Sequence, residues 1–154
     1  MNDAITEFRG EYDFLSNFYV CDITLPGVNG EEITYHSAEA AFQSMKSLDD
    51  AERRKFTELT PVQAKRYGKK VKLRPDWEDI KYDVMLAVVY EKFNQNPDIA
   101  IKLIETGDRP LIEGNTWHDY YWGVCKGKGQ NNLGKILQLT RRILRQIKEN
   151  NNDY

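Results

Sequence analysis

The segment from Trp77 to Asn94 constrains this chain most. Asp76 can cap its start, Pro97 stops it from running far past its end, and Trp77, Ile80, Val84, Met85, Val88, Val89 and Phe93 lay a wide apolar stripe along it. A helix with so broad an apolar face belongs in a core, and the rest of the chain is expected to pack around it.

The residues before it divide into strands and then helices. Ile5 to Arg9 alternates weakly, and Val20 to Leu25 and Glu32 to Tyr35 read as strands. Pro26-Gly27-Val28-Asn29-Gly30 between the last two is hairpin punctuation. Ser37 is placed to cap a helix over Ala38 to Ser47, and Asp49 to Glu58 forms a short charged helix. Thr60-Pro61 opens another helix, which Gly68 can end in a left-handed cap. Beyond the central helix, Asp98 to Glu105 is helical with Gly107 as its cap, and Leu111 to Glu113 is a short strand candidate. Gly123 to Asn132 is a polar loop. An amphipathic helix from Leu133 to about Lys148 closes the chain. The class is α+β, helix-dominated with a few short strands. One domain over 1–154 is expected, with its core at about 8–148 and a frayed Asn-rich tail at 149–154.

Composition removes several function classes. With 40% hydrophobic and 30% charged residues in 154, the chain can bury a core and is not disordered. A formal charge of −2 argues against coating nucleic acid by bulk charge, while leaving room for a local basic pocket. Cys21 and Cys125 are expected as reduced thiols in a cytoplasmic protein. His36 and His118 stand in no metal-binding spacing, so neither metal nor cofactor is expected. No targeting motif is evident and no apolar run reaches the length of a membrane span.

Four features can carry chemistry, each with a plainer alternative. Glu39, Gln43 and Lys46 fall at i, i+4 and i+7, a face that either lines a pocket or meets solvent. Glu39 alone is also what a helix dipole asks for in its first turn. Asp119-Tyr120-Tyr121-Trp122-Gly123 reads as a stacking platform beside a carboxylate, or as a core tryptophan with a capping acid. Gly127-Lys128-Gly129-Gln130-Asn131 leads into a helix and can present N–H groups to an anion, or be an ordinary loop. Lys65-Arg66, Lys69-Lys70, Lys72 and Arg74 form a basic cluster suited to phosphate or to solvation.

Taken in order, these segments resemble the NADAR, or YbiA-like, family from about residue 8 to residue 145. The resemblance rests on Phe14-Leu15-Ser16-Asn17-Phe18-Tyr19, on Tyr35-His36-Ser37-Ala38-Glu39-Ala40-Ala41-Phe42-Gln43-Ser44-Met45-Lys46, and on Ala64-Lys65-Arg66-Tyr67-Gly68. It continues through Leu73-Arg74-Pro75-Asp76-Trp77, Leu111-Ile112-Glu113, Asp119, Trp122-Gly123, Gly127, Gly129, Asn131 and Leu133-Gly134. Ala40 and Gln138 depart from the family's pattern.

The resemblance implies a hydrolase for N-glycosidic bonds to ribose. The implied substrates are ADP-ribosyl-guanine, free or in DNA or RNA, and ribosylamino-pyrimidine phosphates of riboflavin synthesis. Glu39 and Asp119 are the expected catalytic pair, with Trp122 stacking on the base. Lys46, Arg74 and the loop carrying Gly127, Gly129 and Asn131 are expected to hold phosphate. Gln43, Glu113, Asn17 and Phe18 complete the substrate-binding set. The rival from another class is a module that binds ADP-ribose or NAD without cleaving it.

Overall fold

The computed structural model describes residues 3–152. It is helix-dominated with one two-stranded antiparallel sheet, the α+β class expected. By its contacts the chain forms two compact units, Asn17–Asn96, and Met1–Ser16 with Pro97–Tyr154.

In the first unit, strands β1 (Val20–Pro26) and β2 (Glu32–Ser37) pair through Ile23 with Tyr35 and Leu25 with Ile33. Those four side chains all point into the core, because alternate residues of a strand share a face. β2 runs straight into helix α1 (Ala38–Ser44), whose first turn is capped when Ser37 Oγ accepts the Ala40 N–H at 3.0 Å. Ala38, Ala40 and Ala41 are fully buried. Their small side chains let β2, α3 (Pro61–Tyr67) and the long helix α4 (Trp77–Asn94) close around α1. Every residue of α1 is therefore inside, polar ones included. α2 (Asp50–Lys55) and a single 3₁₀ turn at Phe56–Glu58 complete this unit, and Phe56 fills its core.

The second unit joins α5 (Pro97–Glu105) to α6 (Asn132–Asn152). Ile99, Leu103, Leu111, Leu133, Ile136 and Leu137 are buried in it. Arg141, itself buried, donates to Thr106 Oγ1 and to the Arg109 carbonyl, both at 2.9 Å, and so ties α6 to the end of α5.

Several expectations needed correction. The first helix ends at Ser44 rather than Ser47, and Met45 to Ser47 continue as a tight turn. Gly68 ends α3 at φ −59°, a right-handed conformation, so its glycine is not there for a left-handed cap. Asp76 makes no capping hydrogen bond to α4, because its carboxylate is taken by Arg74. Ile5–Arg9 and Leu111–Glu113 are not strands. Among the described residues, the one bridge that pairs them is a parallel one, Ile5 to Leu111. α6 continues through the expected frayed tail to Asn152, and the tail's last two residues lie outside the described ones.

Candidate active site

The candidate residues fall into two sets, one in each unit. The first is built on α1. Its first turn hangs from the chain before β1, since the Glu39 N–H donates to the Asn17 carbonyl at 2.9 Å. Asn17 is itself buried, with its side-chain amide on Met85 Sδ at 3.4 Å. A first-turn acid that only answers the helix dipole sits in solvent, but Glu39 is only 8% exposed. Burying a carboxylate is costly unless it is hydrogen-bonded, and Gln43, one turn on, donates its Nε2 to Glu39 Oε2 at 2.7 Å.

That donation aims the other end of the Gln43 amide at Gly68. Gln43 Oε1 is buried with no hydrogen-bond partner among the described residues, and it occupies the place a Cβ on Gly68 would need. Lys46 is half-buried, with Nζ reaching the Gly68 carbonyl at 3.4 Å. Burial holds its pKa below the ordinary lysine range, the negative charge of Glu39 partly opposes this, and Lys69 adds to the depression. Arg74 joins the set through its backbone, whose N–H bonds the Lys46 carbonyl at 2.8 Å. Its guanidinium grips Asp76 in a fork, at 2.7 and 3.2 Å. Phe18 stands exposed beside Asn17, with Lys65 Nζ 6.0 Å from its ring centre.

The second set lies in the loops before α6. Asp119 Oδ1 accepts the N–H groups of Tyr121 at 3.2 Å and Trp122 at 2.9 Å, which shapes the turn that carries the tryptophan. Asn115, which sequence reasoning missed, brackets Asp119: its Oδ1 accepts the Asp119 N–H at 3.0 Å and its Nδ2 donates to the Asp119 carbonyl at 2.9 Å. The four-residue Asn–Asp spacing was the available signal. Trp122 is half-buried and meets Tyr121 edge-on, with ring centres 4.7 Å apart.

The glycine-rich loop has a different construction from an anion cradle. Cys125 and Lys128 exchange backbone hydrogen bonds around Lys126 and Gly127, which both have positive φ, the geometry of a tight hairpin turn. The N–H groups of Gln130, Asn132 and Leu133 go to the carbonyls of Tyr120, Tyr121 and Trp122. Gly129 has φ +140° and packs on the Gly123 carbonyl, where any side chain would collide. Asn131 spends its amide on the backbone, accepting from Glu113 N–H and donating to the Leu111 carbonyl, both at 2.9 Å. Glu113 enters this network through its main chain, its carbonyl accepting the Val124 N–H at 2.8 Å. These residues hold in place the segment that carries Asp119 and Trp122.

Among the described residues no cluster of His, Cys, Asp and Glu could hold a metal, and no helix is long and apolar enough to cross a membrane. Both cysteines are free.

The chain is 33% identical over 151 residues to the protein named N-glycosidase YbiA of Escherichia coli strain K12, covering 94% of this chain and 91% of that protein. It is 36% identical over 139 residues to a riboflavin biosynthesis protein of Vibrio vulnificus, and spans only 36% of that longer chain. The solution structure of the E. coli protein YbiA superposes with a TM-score of 0.79 at 33% identity, over 96% of this chain and 89% of that one. The sequence model of the NADAR domain matches residues 6–145, and the chain belongs to the NADAR domain family.

Proposed function

We propose that this protein is an N-glycosidase that hydrolyses a ribosyl C1′–N bond. The observation that carries the reading is Glu39, a carboxylate buried at a helix start and held by an amide that itself leaves one oxygen orphaned. A fold does not tolerate two such costs in one turn without return, and buried polar strain concentrates at functional sites. The YbiA relatives, named N-glycosidases, match nearly the whole chain.

Cleaving the bond leaves positive charge on the sugar, as glycoside hydrolysis does. Glu39 stabilises that charge and takes a proton from water as the water oxygen bonds C1′. The C1′–N electron pair leaves with the nitrogen, which gains a proton. Asp119 Oδ1 is loaded with two backbone N–H groups, which leaves Oδ2 to orient the ribose hydroxyls or to supply that proton. Trp122 stacks on the departing base. Lys46 and Arg74 bind phosphate near Glu39, and the Gly127–Asn131 loop holds Asp119 and Trp122 in position.

The finer reading of the substrate is a ribose whose C1′ carries the amine of a purine or pyrimidine ring. ADP-ribosyl-guanine and ribosylamino-pyrimidine phosphates both satisfy it, and the name of the Vibrio vulnificus relative supports the second. We further propose that the protein works in the cytoplasm, where such nucleotides occur and thiols such as Cys21 and Cys125 stay reduced.

Turnover in ¹⁸O-water tests the reaction class. Hydrolysis puts one heavy oxygen on the released sugar at C1′ and none on the base. Recovery of intact, unlabelled ligand from both substrate classes after long incubation identifies a binding module instead.

A further inference from the structure

Arg74-Pro75-Asp76-Trp77 folds as one turn. The Trp77 N–H donates to the Arg74 carbonyl at 3.3 Å, and Asp76 has φ −93° and ψ 9°, the third-residue geometry of a type I turn with proline in second place. Proline presets φ there and has no N–H to place, so the turn is encoded in its own four residues. It brings the Asp76 carboxylate back onto the guanidinium two residues earlier, with Nε donating to Oδ1 at 2.7 Å and Nη2 to Oδ2 at 3.2 Å. The guanidinium holds the Asp76 carboxyl below the ordinary carboxylate range, so the pair is ionised at neutral pH.

Stability does not explain this pair. Asp76 stands at the start of α4, where an aspartate that caps the helix stabilises it, yet its side chain makes no capping bond. It makes instead an ion pair whose acid side chain is 48% exposed, and such pairs contribute little to a fold. The effect falls on Arg74. Only 18% of that side chain is exposed, and its backbone N–H is fixed on the Lys46 carbonyl at 2.8 Å. A guanidinium carries five N–H groups. Asp76 takes the side edge, Nε and one hydrogen of Nη2, and the Met45 carbonyl accepts one from Nη1 at 3.4 Å. No described residue takes the remaining two, one on each Nη. Together they make the end fork, whose spacing matches two oxygens of a phosphate. Arg74 lines an open groove of about 690 Å³ with Ser47, Lys70 and Lys72.

We infer that Asp76 is a positioning residue, which turns Arg74 so that its Nη1–Nη2 edge is presented to a phosphate of the substrate. The inference rests on the reading of Arg74 as a phosphate-binding residue, and not on the cleavage of any bond. It also fixes a sign. A negative charge that merely stood near the site would repel phosphate, and its removal would tighten binding. Removal of a positioning residue loosens binding.

Calorimetric titration of the full-length protein with ribose 5-phosphate and with ADP-ribose, and with ribose as the phosphate-free control, reads that sign. Asp76→Asn can cap α4 but cannot make the charged fork, so it should melt no lower than wild type. It should weaken each phosphorylated ligand that wild type binds by about five-fold or more, and leave ribose unaffected. In an Arg74→Ala background the same substitution should add less than about a two-fold loss. If Asp76→Asn does not fold, Asp76→Ser, also a helix cap and too short for the fork, is measured instead. Unchanged or tighter phosphate binding in Asp76→Asn overturns the inference. So does an equal loss for ribose, an undiminished loss in the Arg74→Ala background, or a wild type that binds neither phosphorylated ligand. If the variant shows the expected loss but wild type cleaves no N-glycoside, the role of Asp76 stands and the enzymatic reading falls.

Discussion

The Oε1 of Gln43 fills the volume that a side chain on Gly68 would need, while its Nε2 holds Glu39. The glycine is therefore required by the candidate active site and not by its own backbone, which sits at φ −59° where alanine is at ease. Gly68→Ala should fold, and should push the Gln43 amide off Glu39. We expect kcat/KM to fall about ten-fold or more, with a modest change in Tm. Gln43→Ala should cost a similar amount. The double variant should be no worse than either single one, because both act on the same contact. Strict additivity of the two losses would break the link.

Lys46 is predicted to trade stability for binding. Burial depresses its pKa in the fold, so between the folded and unfolded values the unfolded chain holds more protons and stability rises with pH. Below the folded value the full cost of the buried charge is present. Lys46→Met should remove that cost and raise Tm at neutral pH. The same variant should raise KM for a phosphorylated substrate. A fall in Tm with unchanged KM would mean that Lys46 serves the fold.

Asp119 has two roles that separate by substitution. Asparagine keeps the Oδ1 acceptor for the Tyr121 and Trp122 N–H groups, so Asp119→Asn should melt like wild type. Without the charge it should lose about 10²-fold in turnover. Asp119→Ala should lose both turnover and about 1–2 kcal/mol of stability from the two unanswered N–H groups. Full activity in Asp119→Asn would reduce Asp119 to a turn former.

Asn131 should behave as scaffold. Its amide makes two backbone bonds, and its φ of +53° suits few other residues. Asn131→Ala should destabilise by about 2–3 kcal/mol, and urea melts should show it. If the protein melts normally and only KM for phosphate-bearing substrates rises, the residue binds ligand directly.

Much of this was legible in the sequence because it is local. The hairpin, the Ser37 cap, the Thr60-Pro61 start and the buried stripe of α4 each follow from neighbours a few residues apart. The i, i+4 pairing of Glu39 with Gln43 did too. What stayed hidden depends on residues distant in the chain. Lys92 looks like a surface cation but is 1% exposed, with Nζ 5.6 Å from the ring centre of Tyr19 and 5.0 Å from that of Phe93. Asp76 reads as a cap until Arg74 is seen to hold it. The purpose of Gly68 is set by a side chain 25 positions earlier. The loop before α6 reads as an anion cradle because glycines and a helix start are visible in sequence, while the carbonyls of Tyr120, Tyr121 and Trp122 that occupy its N–H groups are not.

The most direct test of the account is single-turnover cleavage by wild type and by Glu39→Gln, using a guanine-ADP-ribosylated oligonucleotide and a ribosylamino-pyrimidine phosphate in parallel. Glutamine preserves the size of the buried side chain, so both proteins should melt alike. The account predicts release of the sugar by wild type from at least one substrate, and a loss of about 10²- to 10⁴-fold in Glu39→Gln with binding retained. Cleavage by Glu39→Gln at the wild-type rate would contradict it.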